Sequence, residues 1–385
     1  MTVSLAAAAA FAQPSGQGFM TKSPYEGMDA YMLSNDRLEL TVVANGGAFA
    51  NLVMKNDPRQ LSPLWSPARM ARAAGEQPRR VGSSLGHFVC VDGFGSSSPE
   101  EQKAGLPAHG EARNLPWKVR SSSRNSGTST AVFSVTLPLV QEVFTRTVQM
   151  VDGENVIYVK SELENLMAFD RPVNWGEHAT VSAPFLEPEV TVVDWPAVRS
   201  MTRPDPWIYP EKFRFPPGKE FTWPIVTLRD GSIENIRTVP ATLGVSDHTT
   251  NLMDPSRKHA YATVLNPKLR MIIGWVFKPD EYPWVQDWEN YPENGRVVRG
   301  LEFATQPFDV PRHDAIQRNS LFGVPTYRWL PAKSKISSRF LIFFTQAPEG
   351  MQQVDEVRLE GGQLIIEDRK TGKQLVLAAS LPLSP

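Results

Sequence analysis

Cysteine is nearly absent. Cys90 stands alone among 385 residues, which excludes an intrachain disulfide and any cysteine-based metal site. An excess of one charge is absent too: 40 basic residues face 41 acidic ones, so nothing marks the chain for nucleic acid or an anionic membrane surface. No run approaches the ~20 apolar residues of a membrane-spanning helix. Long amphipathic helices are missing, and the best helical candidate is a short segment around 67–74. No period of 20–50 residues repeats, which argues against propellers and solenoids. The chain has no Gly-rich phosphate loop, no Gly-x-Ser-x-Gly elbow and no His-Glu-x-x-His. Gly93-Phe94-Gly95 precedes three serines rather than a helix and reads as a turn.

What is abundant is tryptophan, with 10 residues, and proline, with 33. Indole faces stack on pyranose rings, and they also fill sandwich cores. From residue 36 onward short β-branched and aromatic runs alternate with turn residues. LELTVVA (38–44), HFVCV (87–91), AVFSVTL (131–137), VFTRTVQM (143–150), NVIYVKSEL (155–163), MIIGWVF (271–277) and ISSRFLIFF (336–344) are the clearest. Asp152-Gly153 between two of them predicts a hairpin, as does Arg369–Gly372 between QLIIED and KQLVLA. The pattern predicts an all-β protein, a large antiparallel β-sandwich with few short helices and long loops. Residues 20–385 read as one domain, with a Trp/Pro-rich insertion near 194–224 that walls the site.

The first nineteen residues are alanine-rich and end their apolar stretch in Ala10-Phe11-Ala12, the small-x-small pattern of a signal-peptide cleavage site. No basic residue precedes that stretch, so a disordered tail is the competing reading. The first places the protein in the periplasm or outside the cell, the second in the cytoplasm.

Three segments carry candidate chemistry: AHGEARNLPW (108–117), GEHATVSAPF (176–185) and RGLEFATQPF (299–308). They contribute His109 and Arg113, His178, and Glu302. Opening a sugar ring needs a base on the anomeric hydroxyl and an acid on the ring oxygen, and a Glu–His pair supplies both without a metal or cofactor. A carboxylate in the apolar run around Glu302 points to function or to a salt bridge with Arg299 or Arg113. Glu177 falls on the opposite face of any strand that presents His178 and reads as structural. A metal site from His87, Asp92 and His109 matches no familiar ligand spacing.

Over residues 36–346 these segments resemble the galactose mutarotase-like (aldose 1-epimerase) superfamily. His109-Gly110 is similar to its substrate-binding His-Gly motif, His178 to its general acid, and Glu302, with Thr305-Gln306 following, to its base. The resemblance implies the superfamily's large sandwich and an aldose 1-epimerase in which Glu302 and His178 act as base and acid. His109 and Arg113 would then bind sugar hydroxyls or an acidic group on the sugar. Asp247 in SDHTT is similar to the sugar-holding aspartate, and His87 stands near where a sugar-binding arginine is expected. Trp284, with Trp288, would supply a stacking wall. The partner implied is a small sugar. A non-catalytic carbohydrate-binding protein on the same scaffold is the alternative.

Overall fold

The computed structural model describes residues 19–78, 84–204 and 210–383. The alanine-rich stretch and Trp207 of the insertion lie outside them. Two antiparallel sheets of eleven and eight strands stack face to face. Their inner faces share one apolar core, to which Leu40, Val89, Leu301 and Phe303 contribute from one sheet and Phe144, Val159, Trp275 and Phe340 from the other. The expected strands are all present, and Glu142–Val151 and Val156–Asn165 form the hairpin that Asp152-Gly153 predicts. The helix expected at 67–74 spans Pro67–Ala73, capped by the Ser66 side chain.

Six strands in the middle of the eleven-stranded sheet position the site. They are β1 (His87–Val91), β2 (Trp175–Ser182), β3 (Ala197–Thr202), β4 (Val245–Met253), β5 (Trp284–Tyr291) and β6 (Val298–Ala304). Their lateral order is β1-β2-β6-β5-β4-β3. Side chains alternate between faces along a strand. The odd-numbered Val89, Trp175, Ala179, Val285, Leu301 and Phe303 enter the shared core. The even-numbered neighbours therefore face away from it.

Charged residues also occupy the core side, and each is paired. Glu177 accepts from Arg146 Nη2 on one oxygen and lies 3.0 Å from His87 Nε2 with the other. Trp275 Nε1–H donates to His87 Nδ1 at 3.2 Å, which leaves Nε2 as the protonated nitrogen facing Glu177. Burial holds the His87 pKa down despite that carboxylate. Arg299 grips Asp287 with two bonds of 2.8 and 2.6 Å. An isolated charge here would be far more costly than these pairs.

The C-terminal strands Glu356–Glu360, Gln363–Asp368 and Lys373–Ala378 form a separate three-stranded sheet. Val357, Leu364 and Ile366 pack on Ile272, Val276, Leu341 and Phe343, the outer face of the eight-stranded sheet. This second covering layer explains why MIIGWVF and FLIFF are continuously apolar rather than alternating.

Candidate functional site

The pairing of β2 with β6 sets His178 directly opposite Glu302. Both are even positions on the face away from the core. Their side chains approach to 3.0 Å between His178 Nε2 and Glu302 Oε1, and both are nearly buried. Glu302 Oε1 nonetheless accepts no hydrogen bond, which leaves acceptor capacity at the base of a cleft. Glycine two residues earlier makes room for each group. A Cβ on Gly300 would stand 2.4 Å from Glu302 Oε1, and one on Gly176 would stand 2.8 Å from the Phe94 ring, which packs beside His178. The His178 ring stacks on Phe88 with centroids 4.2 Å apart, and its Nδ1 lies 2.8 Å from Thr180 Oγ1.

His109 arrives from a loop rather than a strand. It adopts φ +61°, an uncommon backbone for a residue with a Cβ, and Gly110 follows at φ +75°. Gly110 is there because the loop lies against β1: a Cβ would meet Val91 O at 2.0 Å. The turn at Gly93–Gly95 locks the histidine from the other side. His109 N–H donates to Gly95 O at 2.9 Å, and Gly95 N–H donates to His109 Nδ1 at 3.2 Å. With Nδ1 accepting, the proton of the neutral ring sits on Nε2. Burial, followed by the charges of His178 and Arg113, pushes the His109 pKa well down, so the neutral form is favoured. Its ring lies edge-on to His178, 5.4 Å between centroids.

The cleft these groups share has a volume of about 290 Å³, near the lower end of the ~300–1,000 Å³ range typical of ligand sites. Trp65 and Trp288 form an aromatic wall, edge to face at 6.0 Å, and Phe88 also lines the cleft. Arg113, His248 and Asp309 also line it. Asp309 is ion-paired with Arg203, and its Oδ1 lies 3.6 Å from His248 Nε2. His248 Nε2 is also 3.2 Å from Gln286 Oε1, whose amide nitrogen donates to Gln306 O. Burial, then the charge of Arg203, holds the His248 pKa well below the ordinary histidine value. Among the described residues no group of His, Cys, Asp and Glu side chains is arranged to hold a metal ion.

Four of the seven site residues expected from sequence, His178, Glu302, His109 and Arg113, therefore meet in one cleft. The other three do not. His87 is an odd position on β1 and turns into the core against Glu177. Asp247 is an odd position on β4, where it accepts from Arg214 N and Nε. Trp284 has the right parity but is fully buried beside Phe322, with its ring N–H 3.4 Å from Pro325 O. Trp288, two strand repeats further on, takes the cleft position instead. Neither salt bridge considered for Glu302 forms: Arg299 is on the other face, and Arg113 has no ion pair among the described residues. Sequence reasoning passed over His248 and Asp309. The signal for His248 was strand parity, since Ser246, His248 and Thr250 alternate with Asp247 and Thr249; nothing local marks Asp309.

The stacked antiparallel sheets, with the cleft on the outer face of the larger one, have the galactose mutarotase-like β-sandwich fold. The sequence matches no family model and no curated protein. Solved structures carry the likeness. The chain is similar to a galactose mutarotase-like protein from Clostridium acetobutylicum, at 13% identity and TM-score 0.59, over 85% of this chain and 98% of that one. It is similar also to a galactose mutarotase related enzyme from Lactobacillus acidophilus, at 12% identity and TM-score 0.53, over 86% of this chain and 100% of that one. A galactose mutarotase-like protein from Lactobacillus casei aligns at 15% identity and TM-score 0.50, over 82% and 100%.

Proposed function

We propose that the protein is an aldose 1-epimerase, interconverting the anomers of a sugar by opening and reclosing its ring. The observation that carries this reading is the 3.0 Å approach of His178 Nε2 to Glu302 Oε1 at the base of the cleft. The anomeric hydroxyl and the ring oxygen are bonded to the same carbon. The base and acid that serve them must therefore be close neighbours, each within hydrogen-bond reach of its own oxygen.

Glu302 takes the proton from the anomeric hydroxyl while His178 gives one to the ring oxygen, and the bond from that oxygen to the anomeric carbon breaks. The aldehyde rotates about its first carbon–carbon bond. His178 then takes the proton back from the ring hydroxyl and Glu302 returns its own to the carbonyl oxygen, so closure on the other face yields the second anomer. Protons balance and no cofactor takes part. His109, with its Nε2–H directed by the Gly95 contact, donates to a substrate hydroxyl, and Trp288 with Trp65 provides the apolar wall.

Magnetisation-transfer NMR of anomer exchange over free hexoses, pentoses and uronic acids tests the assignment. Wild type should accelerate exchange for at least one sugar. Glu302→Gln and His178→Asn should each lose ~10²-fold or more of that rate, in line with the 10²–10⁴-fold worth of a positioned acid or base. Binding without accelerated exchange would instead support the non-catalytic carbohydrate-binding reading.

A further inference from the structure

We propose that Thr180 is a positioning residue for His178: its hydroxyl holds the proton of the neutral imidazole on Nδ1, so that Nε2 alone gains and loses the proton passed to the sugar. This rests on the acid–base reading of the cleft and deepens it. Thr180 lies two residues beyond His178 on β2, so strand alternation places both side chains on the cleft face. It is fully buried, and its Oγ1 lies 2.8 Å from His178 Nδ1, the one partner of that nitrogen among the described residues. The hydroxyl donates to the backbone O of His178 at 3.4 Å. With its proton directed there, Oγ1 accepts from Nδ1–H, and the tautomer follows.

Phe88, directly across from His178 on β1, stacks on the imidazole at an interplanar angle of 22° and fixes the plane of the ring. A stack does not tell nitrogen from carbon. Turning the imidazole by 180° about its Cβ–Cγ bond would keep the stack but bring Cδ2 against Thr180 Oγ1 and put Cε1 in the place of Nε2. The hydroxyl separates the two orientations, because it bonds a nitrogen and not a carbon. Nε2 is left on the cleft beside Glu302 Oε1, which accepts no hydrogen bond.

The proton transfers need the same tautomer. His178 must hold a proton on Nε2 before the sugar ring opens and offer a bare Nε2 after it. If Thr180 donated to Nδ1 instead, the neutral ring would carry its proton on Nε2 and could not take one back there. With Nδ1–H held throughout, the imidazolium gives its Nε2 proton to the ring oxygen and the neutral imidazole recovers it on closure. The Thr180 hydroxyl does not turn at either step.

Nitrogen-15 NMR of the imidazoles in the free protein reads the tautomer, with the His178 signals identified by their absence in His178→Asn. At about pH 9, above the ordinary histidine range, wild type should show a protonated Nδ1 and a bare Nε2 at His178. Thr180→Val removes the hydroxyl and leaves the Glu302 carboxylate beside Nε2 to decide. It should move population to the Nε2–H form and lose ~10–100-fold of the anomer exchange rate, chiefly in kcat rather than KM. Thr180→Ser should keep the wild-type tautomer and most of the rate.

A neutral His178 protonated on Nε2 in wild type overturns the proposal even if sugars exchange rapidly. So does a Thr180→Val variant that keeps the wild-type tautomer, or one that exchanges sugar as fast as wild type. A loss of sugar binding and melting temperature together, not restored by Thr180→Ser, overturns it too, because Thr180 would then only support the fold. Wild type that holds Nδ1–H, loses it in Thr180→Val and exchanges no sugar leaves this assignment standing and overturns the epimerase.

Discussion

At the scale of single residues, Gly300 fixes what Glu302 can do. Any β-carbon there would sit 2.4 Å from the carboxylate oxygen, and the atom it strikes is the movable end of a side chain rather than backbone. Gly300→Ala should therefore fold but carry a displaced base. The expected outcome is a loss of ~10²-fold in exchange rate, the cost of roughly an ångström of misplacement, with a melting temperature within a few degrees of wild type. Thermal unfolding beside NMR exchange checks both halves. Gly110 is the opposite case. It combines φ +75° with a 2.0 Å approach to a backbone oxygen, so Gly110→Ala strains both the loop and β1. It should cost about 2–4 kcal/mol in denaturant unfolding, at the upper end for single substitutions. His109 would lose its place as a consequence.

At the scale of elements, the site follows from antiparallel register. One pairing puts His178 opposite Glu302, the next puts Glu302 opposite Gln286, and side-chain alternation carries all three to the same face. The strands most legible in the sequence are those with simple apolar patterns, such as β1 and Met271–Phe277. Strands β4 and β5 did not stand out, although they hold a large part of the cleft. VSDHTTNLM and WVQDWENY are polar on both faces, because one face lines the cleft and the other carries ion-paired Asp247, Asp287 and Glu289. A polar residue that is buried and paired looks, in sequence, like one that is exposed. The same ambiguity chose Asp247 over His248, neighbours that a strand sends to opposite faces.

At the scale of the whole molecule, buried charges tie the layers together. Asp92 at the end of β1 accepts from Arg171 and from Arg312, and Arg171 Nη1 lies 3.2 Å from Glu142 of the eight-stranded sheet. Burial, with Asp92 adding to it, pushes the Glu142 pKa up to about 9. A carboxyl whose folded pKa is raised contributes stability that is fully present below its unfolded value, near 4.3, and lost as pH rises through the folded value. Glu142→Gln removes that titration while keeping the shape. Relative to wild type it should be about equally stable at pH 4 and more stable at pH 8, by at least about 2 kcal/mol after allowance for the lost contact with Arg171. Chemical denaturation at the two pH values measures the difference, and an unchanged gap would place Glu142 in its ionised form.

The amino-acid sequence determined the all-β character and both hairpins, and it singled out His178 and Glu302, which the fold sets side by side. Turn chemistry, side-chain alternation and the need of a carboxylate in an apolar run for a partner are all local signals. Only the tertiary structure decided which residues share the cleft. It turned His87 and Asp247 inward, covered Trp284, and brought His248 and Asp309 to the site. It also left Arg113 without a counter-charge among the described residues. The physical reason is that face, cover and charge pairing depend on strands and loops far apart in the chain. A change of one position in parity sends a side chain from the cleft to the core.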